Sequence, residues 1–210
     1  MADWNTLENQ FSALDFDEKS HTYKLNGVAL PSVTTIMKPL SDNKYSTVRA
    51  DVLQNAASKG SIVHNAIENY LKFGIEDISE EHKPYYLAFL EFLSDKQPTI
   101  LVTESKVYHK FLRYAGTVDL ICIIDGEVYL IDYKTTAVLL EMLTRVQLEA
   151  YAKAIESHDF KVDKKAILHL KKDGTYRLEP HDSNDSESWT VFGCLLTVNS
   201  YINKYRKGDK

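Results

Sequence analysis

Apolar positions run nearly unbroken through two stretches in the middle of the chain and recur at three- and four-residue spacing on either side of them. From Gly116 to Thr136 the sequence reads GTVDLICIIDGEVYLIDYKTT, two apolar runs around Asp125-Gly126. Asp-Gly is among the strongest signals for a two-residue hairpin turn, because both central positions require positive φ. Such a turn sets Ile124 against Glu127 and, counting outward, Asp119 against Asp132. One face of the predicted hairpin carries Asp119, Ile121, Ile123, Val128, Leu130, Asp132 and Lys134. The other carries Val118, Leu120, Cys122, Ile124, Tyr129 and Ile131. Two mostly apolar faces are expected of strands buried inside a layered α/β domain.

The same patterning places the other elements. Phe11, Leu14 and Phe16 pack as a short helix or arm, and residues 21–33 form a second hairpin about Asn26-Gly27, with Pro31 confining the returning strand to an edge. Ser46 caps a helix beginning near Thr47, and Gly60 marks a break or a tight approach before the next helix, residues 61–73, which stops at Gly74. Residues 80–93 form another helix, with Tyr85, Tyr86, Phe89, Leu90 and Leu93 on its apolar side. After Pro98 come strands over 100–108, 111–124 and 127–135, a helix over 139–157, and a third hairpin, 165–170 and 176–180, about Asp173-Gly174. A closing helix over 186–205 buries Trp189, Phe192, Leu196 and Tyr201. The reading is one α/β domain over residues 1–210: a central mixed β-sheet flanked by helices at 100–180, with a helical subregion at 46–95.

At 210 residues the chain can bury a substantial core, and 44% hydrophobic and 26% charged residues are ordinary globular values. The first residues lack a basic patch followed by an apolar run, and no stretch approaches a membrane span, so a cytoplasmic protein without membrane contact is expected. Cys122 and Cys194 both sit in apolar sequence and read as small core residues. A net charge of −5 argues against a passive nucleic-acid coat and leaves room for an enzyme with local cations.

Asp119 and Asp132 carry the chemistry. Two carboxylates about 5 Å apart repel by roughly 3 kcal/mol in an effective dielectric of about 20, which calls for a cation or a shared proton. A hard divalent ion accepts one or two carboxylates together with water and phosphate oxygens. Lys134 returns to the same face two residues beyond Asp132. Elsewhere, His64 and Glu68 project from one side of their helix, as do Gln147 and Tyr151 of theirs. Glu104 either faces the same site or closes a strand. Lysines gather at Lys161, Lys164, Lys165, Lys171 and Lys172. These read as a solvated surface or, at Lys171 and Lys172, as contacts to backbone phosphate, and Arg49 and Lys59 flank the helical region where they could line a DNA channel. Lys204, Arg206, Lys207 and Lys210 read as a solvated tail. The remaining histidines, His21, His82, His109, His158, His169 and His181, lack ligand spacing and read as structural.

Glu104, GTVD ending at Asp119, and Asp132-Tyr133-Lys134 together resemble the PD-(D/E)XK nuclease superfamily. Gly60-x-x-x-His64 with Glu68, and Gln147-x-x-x-Tyr151, are similar to its RecB-type and phage-type exonuclease branch. The resemblance covers about residues 58–155 and implies Mg²⁺ or Mn²⁺ held by Asp119, Asp132, the Tyr133 carbonyl and His64. It further implies that Lys134 positions or polarises the attacking water, that Glu104 and Glu68 assist, and that Gln147 and Tyr151 brace the site or touch DNA. With two cysteines no iron–sulfur cluster is expected. The implied activity is a metal-dependent DNA exonuclease of phage or bacterial recombination and repair. It would act on DNA ends, single-stranded ends included, alone or with a single-strand annealing protein, and as a monomer or homo-oligomer. A structure-selective endonuclease using the same site, and a catalytically silent nucleic-acid-binding module, are the alternatives.

Overall fold

A computed structural model of the chain describes residues 4–206. A turn of 3-10 helix, Trp4–Thr6, leads into α1 (Leu7–Gln10) and a three-stranded antiparallel sheet of β1 (Leu14–Asp17), β2 (Thr22–Leu25) and β3 (Val28–Leu30). The second hairpin forms as expected, with Asn26 and Gly27 at φ 52° and 78°. Leu14 to Asp17, expected in a short helix or arm, is instead a strand. Leu14 pairs with Leu25 and Phe16 with Tyr23, which covers an edge of β2 that the hairpin alone would leave open.

Ser32 caps α2 (Val33–Ile36), its Oγ accepting from the Thr35 N–H at 3.0 Å, and α3 (Lys38–Tyr45) follows. Ser46 therefore ends a helix rather than starting one. The next helix, α4 (Ala50–Phe73), begins after Arg49 in extended conformation and runs without a break through Gly60. A glycine costs about 1 kcal/mol in a helix interior. Burial of Val63, Ala66 and Ile67 on the turns beyond it outweighs that cost. A Cβ at Gly60 would lie 4.0 Å from the Thr135 hydroxyl, so α4 passes beside the end of the central hairpin. Gly74, at φ 68°, ends the helix as read.

After α5 (Lys83–Lys96) the chain lays down β4 (Thr99–Tyr108), β5 (Ala115–Ile124), β6 (Glu127–Lys134), α6 (Glu141–Glu156), β7 (Lys164–Leu170), β8 (Tyr176–His181) and α7 (Ser186–Arg206). Residues 111–114, expected at the start of a strand, lie instead in a turn over 109–114 closed by the His109 N–H to the Tyr114 carbonyl at 2.9 Å. The five strands lie in the order β4-β5-β6-β7-β8, antiparallel except for β6 and β7, which α6 connects in parallel. This is the mixed sheet expected. On one face Ile121, Leu130 and Ile167 meet Leu148 and Ile155 of α6 and Phe192 of α7. On the other, Leu120, Cys122, Ile131 and Leu168 meet Ile67 of α4 and Phe89 and Phe92 of α5.

Two expectations for α7 fail. Cys194 is exposed, and so is Tyr201, at 65%. Contact with the core ends at Leu196, and the following turns present Val198, Tyr201, Ile202 and Tyr205 to solvent. Lys207 and Lys210 lie outside the described residues. No helix among the described residues is long and apolar enough to cross a membrane.

Asp185 anchors α7 to α6. It accepts from the Ser188 N–H and hydroxyl at 3.0 and 2.7 Å and from two Arg145 guanidinium nitrogens at 2.7 and 2.9 Å. The hydrogen bond from Arg145, with the Ser188 donors and the Arg145 charge added, holds its carboxyl well below the ordinary 3.8. A depressed folded pKa stabilises above the unfolded value and loses that contribution as the pH falls through the folded one. Melting temperature is therefore expected to drop on acidification below about pH 4. Asp185→Ala should lose about 1–3 kcal/mol at pH 7 and show a shallower acid slope, both measurable by thermal denaturation from pH 7 to pH 3.

Candidate active site

The Asp125-Gly126 turn sets the register from Ile124↔Glu127 to Leu120↔Ile131, with both turn residues at positive φ, 51° and 81°. Regular pairing stops one residue short of the two acids. Asp119 instead turns its Oδ2 to the Tyr133 N–H at 2.7 Å. On its other side, Thr103↔Leu120 and Ser105↔Val118 bracket Glu104, a non-glycine residue at φ 47°. Such a conformation costs of order 1–3 kcal/mol and gathers at functional sites. The interruption changes which way β5 faces. Val118, expected on the same face as Leu120 and Cys122, belongs to the core under α6, and a Cβ on Gly116 would point at the Tyr151 ring of α6.

This interruption opens a space that α4 fills with His64. Its Nδ1 lies 3.2 Å from Glu104 Oε1 and 3.5 Å from Asp119 Oδ1, and its ring stands edge-on to Tyr133 with centroids 5.3 Å apart. His64, Glu104 and Asp119 bring their donor atoms within 4.8 Å of one another. Asp132 stands beside this group, with its Oδ2 2.5 Å from Lys134 Nζ. Lys134 also donates to Gln147 Oε1 at 3.1 Å, and Gln147 Nε2 donates to the Tyr151 hydroxyl at 3.4 Å. Gln147 thus links the lysine to Tyr151. Glu68 pairs with Lys72 at 2.7 Å and lines a cleft with Glu104 rather than joining the donor group. Lys171 and Lys172 line a separate groove of about 410 Å³ with Lys59 and His169. There Lys59 is tethered to the Thr135 carbonyl at 2.8 Å, and His169 Nε2 meets the Thr136 carbonyl at 2.7 Å. His169 therefore braces the chain just beyond Lys134, a role with no signal in its sequence context.

The charges are tightly interdependent. Burial acts to raise the Asp119 carboxyl, yet the charge and hydrogen bond of His64, with Lys134 and the Tyr133 N–H, hold it below its ordinary value. Asp132 is pushed up to about 6, by burial first and then by the Asp119 charge, against the opposing pull of Lys134. Glu104 is raised by burial, with Asp119 adding to the effect and His64 opposing it. Burial disfavours the charged forms of His64 and Lys134, but the acids outweigh it. Asp119 leads for His64 and Asp132 for Lys134, and both groups are held above their ordinary values.

The donor set fits a divalent cation. Asp132 Oδ2 is buried without a hydrogen-bond partner of good geometry, and three carboxylates are hard oxygen donors of the kind Mg²⁺ and Mn²⁺ accept, with the His64 imidazole a borderline donor beside them.

Gly116 tests this packing. A Cβ there would come 2.5 Å from Tyr151 Cε1, and the ring is 5% exposed. Gly116→Ala is expected to destabilise by about 1–3 kcal/mol and to weaken the Gln147 link, lowering activity more than melting temperature alone explains. Denaturant unfolding alongside kcat measurement separates the two effects.

A family model described as the PD-(D/E)XK nuclease superfamily matches residues 79–191, from the approach to α5 into α7. The match contains Glu104, Asp119, Asp132, Lys134, Gln147 and Tyr151, while His64 and Glu68 lie N-terminal to it. A search of curated proteins finds no match to the chain.

Proposed function

The chain belongs to the PD-(D/E)XK nuclease superfamily, and on that premise we propose that it is a Mg²⁺- or Mn²⁺-dependent DNA exonuclease of the RecB-type and phage-type branch, serving recombination or repair in the cytoplasm. The observation that carries the reading is the meeting of His64, Glu104 and Asp119 beside the Asp132–Lys134 pair, with His64 brought from α4 onto the strands that carry the acids.

Asp119, Asp132, His64 and the Tyr133 carbonyl would hold the cation, with Glu104 close enough to join them. A divalent cation there polarises a phosphoryl oxygen and makes water a better nucleophile at neutral pH. The protein's own groups do the rest. Lys134 supplies a fixed positive charge where the phosphoryl oxygens gain negative charge in the transition state. Asp132 and Gln147 hold its ammonium at 2.5 and 3.1 Å, so little reorganisation is needed when substrate arrives. His64 is kept in place by Glu104, and Glu68 adds negative charge at the mouth of the cleft. Lys171 and Lys172, beside Lys59, would bind the phosphate backbone. The overall charge of −5 is consistent with local rather than global attraction for DNA.

Exonuclease action is favoured over endonuclease action by the resemblance of Gly60-x-x-x-His64 with Glu68, and of Gln147-x-x-x-Tyr151, to the exonuclease branch, and a single-strand annealing protein is the partner chemistry that end resection would call for. End-labelled linear single- and double-stranded DNA, incubated with Mg²⁺, Mn²⁺ or chelator, tests the proposal. Mononucleotide or short-oligomer release in metal alone, with covalently closed single-stranded circles left intact, is expected. Cutting of the circles would replace the exonuclease with a structure-selective endonuclease. Turnover in chelator would overturn the metal-dependent mechanism.

A further inference from the structure

Next to the acids, α3 and α6 border a half-open cavity of about 210 Å³ walled by Met37, Tyr45, Leu139, Leu140 and Leu143, with Lys134 and Gln147 also in its lining. The cavity is smaller than the roughly 300–1,000 Å³ of a pocket for a drug-sized ligand and so is sized for a single ring system. The aliphatic side of the wall offers a phosphate no compensation for its charge, and the only cation among the described residues of the lining is Lys134, at the edge shared with the acids. A planar heterocycle does suit it. The hydroxyls of Ser41, Thr136 and Thr144 in the lining can meet the polar edge of such a ring.

Lys134 ties the cavity to the chemistry, because the side chain held by Asp132 and Gln147 is also part of the cavity wall. A nucleotide whose phosphate lies over the Asp132–Lys134 pair therefore has its neighbouring base within reach of the cavity. In a duplex that base is paired and stacked on both faces, and it can enter a pocket in the protein only after leaving the stack. We propose that this cavity receives one unpaired base adjoining the scissile phosphate, so that the site selects unpaired nucleotides over paired ones. Tyr45 provides the aromatic face against which the base stacks, an interaction indifferent to base identity. The proposal rests on the nuclease reading above and adds the strandedness of its substrate.

Phosphorothioate oligonucleotides that resist cleavage, carrying 2-aminopurine at each of the three terminal nucleotides in turn, test it by fluorescence titration in Mg²⁺. One position is expected to give a saturable fluorescence change that is absent when the same end is base-paired. Ser41→Phe fills the cavity without removing a long-range contact, since the Ser41 hydroxyl bonds only the Lys38 carbonyl within α3. It should abolish that change and weaken single-strand binding on the order of tenfold, with duplex binding unaltered. Tyr45→Ala should weaken single-strand binding similarly. No position-dependent change in the wild type, or a folded Ser41→Phe protein that binds single strands as well as the wild type, would overturn the base pocket. If the wild type still hydrolyses linear DNA in those cases, the nuclease reading stands and only the pocket falls. Absence of hydrolysis on every DNA would remove the nuclease reading and the proposal with it.

Discussion

Lys134→Ala is expected to lower kcat on linear DNA by about 10²–10⁴-fold, with a much smaller change in KM. Lys134 Nζ lies between Asp132 Oδ2 and Gln147 Oε1. It is thus positioned before substrate binds, and its charge counts most where the transition state gains negative charge. Lys134→Met keeps the aliphatic stem and should lose as much, which separates the ammonium from the packing. Lys134→Arg should not restore the rate, because a planar fork cannot occupy the site of a compact ammonium. Removing the cation leaves Asp132 buried beside Asp119, so its pKa should climb further above 6 and the carboxyl should protonate rather than unfold the protein. Steady-state kinetics with a thermal melt on the same samples decides. A folded Lys134→Met protein with wild-type turnover would remove the lysine from the mechanism.

The second large effect concerns Asp119. At a divalent-ion concentration of about 100 times Kd, binding to the folded state alone adds about 2.7 kcal/mol, which corresponds to a rise in melting temperature of roughly 5–10 °C for a chain of this size. Asp119→Asn should abolish most of that rise and reduce hydrolysis by about 10³-fold or more, since several kcal/mol of charge stabilisation go with the metal. The amide oxygen can still accept the Tyr133 N–H now bonded at 2.7 Å, so the fold should survive. Melting curves with Mg²⁺, Mn²⁺ and chelator read the result without any nuclease assay. An equal metal-induced shift in the variant would place the cation elsewhere.

Legibility followed the range of the interactions involved. The central hairpin could be read because a two-residue turn needs positive φ at both centres, and Asp125-Gly126 supplies it locally. The same held for the stop at Gly74. The start of α4 was misread because Ser46 resembles a cap in isolation, whereas α3 claims it as its own C-terminal residue. Gly60 was misread as a candidate break because its cost in a helix is local, while the packing that overrides it comes from residues distant in sequence. Helical spacing places Tyr201 in the core and apolar neighbours place Cys194 there, yet neither signal reveals where the core ends along the helix axis.

The site divides the same way. The sequence by itself determined that two acids and a lysine would be carried on one tight hairpin, because residue alternation and turn chemistry are properties of neighbours along the chain. Only the tertiary structure decided that pairing lapses before the acids meet, that Glu104 takes a left-handed backbone opposite Asp119, and that α4 brings His64 into the gap. It also decided that α3 and α6 border a cavity beside Lys134. The physical reason is that each of these features depends on the balance of packing and charge between elements far apart in sequence, and no window of neighbouring residues contains that balance.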